Sequence, residues 1–189
     1  MNIANKLTLL RVILVFVFMG IVWIPLSLST NTILSIALGI FIIASITDFL
    51  DGYLARKLNL ITNLGKFMDP LADKMLVAAA MLAVVDLGIN NLLPAGQLPA
   101  WIVVTILLRE FMVSGVRLVA ANNNTVIAAS SLGKIKTVIQ MAMIIVYLLP
   151  ISFEMLDTIA LALAYLALIF TVTSGFEYLW KNRNLFKTQ

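Results

Sequence analysis

The chain contains no cysteine and no histidine. Disulfides, zinc sites built from those residues, and any cysteine or histidine nucleophile are therefore excluded. A bound metal has to be held by oxygen, which selects hard cations such as magnesium, manganese or calcium. Charge is scarce too. Of 189 residues, 12% are charged and 62% are hydrophobic, whereas a soluble domain carries about a quarter charged residues. The net charge of +4 does not point to nucleic acid, because the positions of the basic residues account for it.

What the chain has in place of charge is long apolar blocks. They predict six helices, near residues 7–27, 32–58, 66–88, 98–121, 129–149 and 155–181. Each is long enough to cross about 30 Å of hydrocarbon at about 1.5 Å per residue. Breakers fall between them: Pro25 and Ser27, then Asn90, Asn91, Pro94, Gly96 and Pro99, then Asn122 to Asn124, then Pro150 and Ser152. The expected fold is all-α, a polytopic membrane protein with six transmembrane helices in one domain, residues 1–189. No internal repeat is visible. The N-terminus lacks a small-residue cleavage motif, so no removable signal peptide is read there.

The basic residues set the expected orientation. In a six-helix serpentine all of them fall on one side: before and within the start of helix 1, around the 2–3 connection, in the second half of helix 4, at the start of helix 5 and at the C-terminus. The opposite loops carry only Asp86, Glu154 and Asp157. The positive-inside rule puts both termini in the cytoplasm. Tyr178 and Trp180 read as interfacial anchors at the cytoplasmic end of helix 6.

On that same side lies the chain's densest polar stretch. It reads D-F-L-D-G-Y-L-A-R from Asp48 to Arg56, then, after eight residues, G-K-F-M-D-P-L-A-D from Gly65 to Asp73. Asp48 and Asp51 are at i, i+3, and Asp69 and Asp73 at i, i+4, so each pair shares a helix face. An isolated aspartate pair at a helix end is more often a cap or solvated. Four carboxylates at the edge of a bilayer are a functional-site hypothesis by default. They cannot all stay ionised at close range without a cation, so the expectation is one or two divalent metals, magnesium or manganese. Gly52 and Ala55 allow close approach of a ligand or helix, and Arg56 offers a planar fork suited to phosphate. Together these point to phosphoryl chemistry.

The stretch resembles the signature of the CDP-alcohol phosphatidyltransferases, D-x2-D-G-x2-A-R-x8-G-x3-D-x3-D. Asp48, Asp51, Gly52, Ala55, Arg56, Gly65, Asp69 and Asp73 fill every fixed position. Chance would do so on the order of once in ten billion starts at average residue usage, so coincidence is not an explanation. Three further stretches, Asn5 to Arg11, Arg109 to Arg117 and Gly133 to Thr137, resemble the bacterial branch that makes phosphatidylglycerophosphate. One departure is N-I-A at Asn2 to Ala4, where the family often has N-I-P; it makes the first turn less rigid.

The resemblance implies a six-helix core in the cell membrane, with the site facing the cytoplasm. It implies transfer of a phosphatidyl group from CDP-diacylglycerol to glycerol 3-phosphate, two magnesium or manganese ions on the four aspartates, and commonly a homodimer. Asp73 is then both a metal ligand and the general base. Asn5, Thr8, Gly52, Ala55, Arg56, Thr62 and Gly65 hold the CDP head group. A transferase also needs an acceptor pocket. Glu110, Ser114 and Arg117 recur on one face of helix 4, and Lys134 and Lys136 open helix 5. With Arg109 they are candidates for the acceptor phosphate; Arg109 is equally suited to pairing with Glu110 or Glu177. Two alternatives remain at this point. The same chemistry serves another acceptor (phosphatidylglycerol, inositol phosphate or serine), or the acids serve a cation transporter. The acids lie at one face and not near a midplane break, which disfavours the transporter.

Overall fold

Proline, serine and asparagine decide where the helices stop and start. The computed structural model describes the backbone of residues 3–57, 63–122 and 130–183, and side chains at 8–47, 72, 74–120 and 130–183. Six helices appear among the described residues, with no strand: α1 Ile3–Trp23, α2 Thr30–Lys57, α3 Asn63–Ile89, α4 Ala100–Asn122, α5 Ser131–Tyr147 and α6 Leu156–Lys181. Helix α1 ends at Trp23, ahead of the expected 27, because Pro25 disfavours helical backbone at Ile24. It starts at Ile3, ahead of the expected 7, because polar Asn5 and Lys6 join the helix although they do not belong to the apolar run.

The caps are chemically ordinary. The Ser29 hydroxyl accepts from the Thr32 amide (3.2 Å) at the start of α2, and the Ser130 hydroxyl from the Gly133 amide (3.1 Å) at the start of α5, each satisfying an orphan donor. Helix α3 closes with the Leu92 amide on the Leu87 carbonyl (2.9 Å) and the Asn91 amide on the Gly88 carbonyl (3.0 Å). Asn91, at φ 56°, takes the left-handed position usually given to glycine.

The helices group into two units. The first holds α1, α2 and α3, and the second α4, most of α5 and α6. In the first, α1 packs on both α2 and α3. The Trp23 indole donates to Asp86 (3.0 Å), tying the far ends of α1 and α3 together. In the second, α4 packs on α6.

Helix α6 shows how the sequence sorts its faces. Its buried positions are Leu156, Ala160, Ala164, Ala167, Thr171, Ser174, Gly175 and Tyr178, a stripe of mostly small residues. Its exposed positions include Ile159, Leu166, Ile169, Phe176 and Trp180. Helix α4 likewise exposes Leu108, Phe111 and Leu118. Small residues inside and large apolar residues outside is the arrangement expected when the solvent is lipid, where close packing drives association. The 18-residue window Thr30–Thr47 of α2 and the whole of α6 are long and apolar enough to cross a membrane.

Candidate active site

Helix α2 stays helical through Lys57, so its last turns carry Asp48, Asp51, Gly52, Ala55 and Arg56; α3 begins at Asn63, so its first turns carry Gly65, Asp69 and Asp73. The expected spacings are therefore real helical spacings, and each aspartate pair lies on one side of its helix. The side chains of these eight residues and of Asn5, and Thr62 altogether, lie outside the described residues. Among the described residues no group of three or more possible metal ligands gathers.

Of the expected donor-binding residues, Thr8 has a described side chain, and it is buried. Next to it on the same face of α1 is Arg11, also fully buried, whereas Leu9 and Leu10 between them are exposed. Arg11 is engaged with a partner, as a buried cation has to be. In the sequence Arg11 stands among the cytoplasmic-side basic residues and at the end of the Asn5 to Arg11 stretch, with no role of its own in the site. The signal was present: a polar pair at i, i+3 interrupting an apolar run turns one face of a helix inward.

In the second unit the basic residues divide into two groups. The first centres on Glu110. Its Oε1 accepts from Arg109 Nη1 at 2.7 Å and from Lys136 Nζ at 2.8 Å. Arg109 also donates through Nη2 to the Ser174 hydroxyl at 2.9 Å, and Ser174 in turn donates to the Phe170 carbonyl. Of the two partners considered for Arg109, Glu110 is the one it takes. Gly175 makes room for Arg109: a Cβ there would stand 3.1 Å from Arg109 Cγ. Lys136 is 3% exposed. Two cations share this one carboxylate oxygen.

Arg117 belongs to the second group. It is exposed, and its guanidinium lies over the Tyr178 ring, 5.7 Å from the centroid. Tyr178 is 3% exposed and packs with Val113 and Val116. This corrects the reading of Tyr178 as an interfacial anchor: it falls on the small-residue stripe of α6 that turns inward. Trp180 is 72% exposed, with Arg183 stacked 4.6 Å from its ring. Ser114 returns its hydroxyl to the Glu110 carbonyl at 2.7 Å, and Lys134 is exposed.

Comparison with known proteins assigns the chain to a class. Residues 1–173 match the family model for CDP-alcohol phosphatidyltransferase. The chain belongs to that family. Within it, the chain is similar to a protein of Bacillus subtilis (strain 168) named CDP-diacylglycerol–glycerol-3-phosphate 3-phosphatidyltransferase, at 44% identity over 99% of this chain and 98% of the relative. Proteins of the same name from Rickettsia felis, at 34% identity over 94% of this chain and 93% of theirs, and from Shigella flexneri, at 35% over the same shares, are similar along almost their whole lengths.

Proposed function

We propose that the chain is a membrane-embedded enzyme that transfers the phosphatidyl group of CDP-diacylglycerol to glycerol 3-phosphate, giving phosphatidylglycerophosphate and CMP. One observation carries the reading. All eight fixed positions of the family signature are filled, on helical turns of α2 and α3, in a chain that belongs to the family. Relatives similar over nearly their full length are named for this reaction.

The donor set suits a hard divalent cation. It offers four carboxylates at helical spacing in a chain without sulfur or imidazole ligands other than methionine thioether. Asp48, Asp51, Asp69 and Asp73 would hold two ions, magnesium or manganese, which when bound neutralise charge building up on the diphosphate. Asn5, Thr8, Gly52, Ala55, Arg56, Thr62 and Gly65 would bind the CDP head group, with the Arg56 fork on phosphate oxygens. Asp73 would take the proton of the acceptor hydroxyl as that oxygen attacks the phosphatidyl phosphorus. The bond to the bridging oxygen breaks, and CMP leaves with that oxygen. Arg117, Lys134 and Lys136 would hold the acceptor phosphate, with Ser114 and Arg109 beside them.

The same reading includes six transmembrane helices in the cell membrane, both termini and the site facing the cytoplasm, and the homodimer expected of the family. Topology is open to a clean test, because the parent has no cysteine. Single cysteines at Asn63 and Asn123 should be labelled from the cytoplasmic side, and cysteines at Asn31 and Asn91 from outside. Labelling of positions 63 and 91 from one side would break the six-span arrangement. For the reaction, purified protein in lipid nanodiscs with CDP-diacylglycerol should release CMP on addition of glycerol 3-phosphate. Release with phosphatidylglycerol, inositol phosphate or serine in its place would overturn the acceptor.

A further inference from the structure

The reading above leaves Glu110 without a part in the chemistry, and leaves Arg109 as one basic residue among several. Their geometry is more specific than that. We propose that Arg109 and Glu110 are positioning residues that fix the Lys136 ammonium for the acceptor phosphate. The inference rests on the assignment of α4 and α5 to the acceptor.

The three residues differ in how firmly they are held. Arg109 is locked on several sides. One terminal nitrogen donates to Ser174 of α6 and the other to Glu110. Its stem lies against Gly175, where a Cβ would come within 3.1 Å of Cγ, and a Cβ at Gly133 of α5 would stand 3.9 Å from Nη2. A planar guanidinium so clamped has its orientation set by α6. Glu110 Oε1 is shared between this fixed fork and Lys136 Nζ, so the carboxylate inherits the position of Arg109. Lysine carries a compact charge on a flexible four-carbon stem, and a buried ammonium settles where its partner carboxylate is. Rigidity therefore passes from Ser174 and Gly175 through Arg109 and Glu110 to Lys136.

The arrangement also sets charge. Among the described residues Arg109 and Lys136 share the Glu110 carboxylate, which screens the two cations from each other. Without Glu110, the Arg109 and Lys136 cations would repel each other, and Lys136 would lose the carboxylate that sets its place. With Glu110, the ammonium is held. Arg109 does not need to touch the phosphate to matter. Both residues act through the location of another group.

The test is acceptor kinetics in a variant series. Glu110→Gln keeps shape and removes the charge, and it should raise KM for glycerol 3-phosphate about tenfold, the usual effect of losing a charge-assisted hydrogen bond. KM for CDP-diacylglycerol should hardly move. Gly175→Ala, which adds one methyl against the Arg109 stem and removes no polar group, should raise the same KM several-fold. In a Lys136→Ala background, Glu110→Gln should add little, because its effect runs through Lys136. CMP binding serves as the check that each variant is folded. Additive losses in the double variant, or equal rises in both KM values, would overturn the proposal. So would an unchanged acceptor KM in both Glu110→Gln and Gly175→Ala. Should the parent fail to release CMP with glycerol 3-phosphate, the function itself would fall, which is a separate result from any of these. A Glu110→Gln chain that does not fold leaves Gly175→Ala to decide the matter alone.

Discussion

The acidic end of the first unit and the basic cluster of the second are built in opposite ways. Four aspartates are written into two consecutive helices within 26 residues, Asp48 to Asp73, and each pair shares a face through helix periodicity alone. The basic cluster is assembled across distance. Lys136 meets Glu110 from 26 positions away, and Ser174 meets Arg109 from 65. A site that must hold a small hard cation needs several like ligands at fixed short spacing, which one helix turn supplies. A site proposed to hold a phosphate on a mobile alcohol needs cations whose mutual repulsion is controlled, and here a cation from another helix is brought to one carboxylate. The first kind reads as a motif and the second as a contact map.

The largest expected effects test the acidic half of that contrast. Asp48→Asn, Asp51→Asn or Asp69→Asn should each lower turnover by orders of magnitude while the protein still inserts, if each removes a proposed metal ligand. Exhaustive chelation should abolish CMP release, and magnesium or manganese should restore it. Full activity after chelation would remove the metal from the mechanism. Asp73→Asn should reduce kcat far more than it changes either KM, because it removes the proposed base as well as a proposed ligand.

The basic half should give smaller and more selective losses. Lys136→Ala and Arg117→Ala should each raise KM for glycerol 3-phosphate by roughly ten- to a hundredfold, the equivalent of about 1.5–3 kcal/mol for one charge-assisted hydrogen bond. Arg56→Ala should weaken CDP-diacylglycerol or CMP binding instead. If Arg117→Ala altered the donor's KM alone, the acceptor would have to be sought elsewhere, and the contrast between the two regions would no longer be one of donor and acceptor.

Legibility followed the same division. Helix number and rough placement were readable because long apolar runs separated by Pro25, Pro94, Pro99 and Pro150 leave few alternatives. Helix ends were less so: apolar run length places the start of α1 four residues late, since polar residues such as Asn5 extend a helix beyond its apolar stretch. The aspartate spacing was fully readable from the sequence. The pairing of Glu110 with both Arg109 and Lys136 was not, because it depends on how α4, α5 and α6 are rotated about their axes. Tyr178 was misread for a related reason. An aromatic near a helix end fits an interfacial anchor, yet Thr171, Ser174 and Tyr178 follow one another at i+3 and i+4 along one face, and that face is the buried one.

The smallest expected effect concerns what that tyrosine does. Its ring lies beneath the Arg117 guanidinium at 5.7 Å, and its hydroxyl is buried without a hydrogen-bond partner among the described residues. A cation over an aromatic face contributes about 0.5–1 kcal/mol at an exposed site, and Arg117 is exposed. Tyr178→Leu should therefore raise KM for glycerol 3-phosphate only about two- to fivefold, through a looser Arg117. Tyr178→Phe keeps the ring and removes an unsatisfied buried hydroxyl, so it should leave KM unchanged and stability equal or slightly higher. Thermal unfolding in detergent measures the second quantity. A loss of several degrees in Tyr178→Phe would mean that the hydroxyl has a partner after all. If Tyr178→Phe and Tyr178→Leu raised KM alike, the hydroxyl and not the ring would be what orients Arg117. The stacked pair would then join the Glu110 cluster as a hydrogen-bonded device, and the basic region would consist of one kind of contact instead of two.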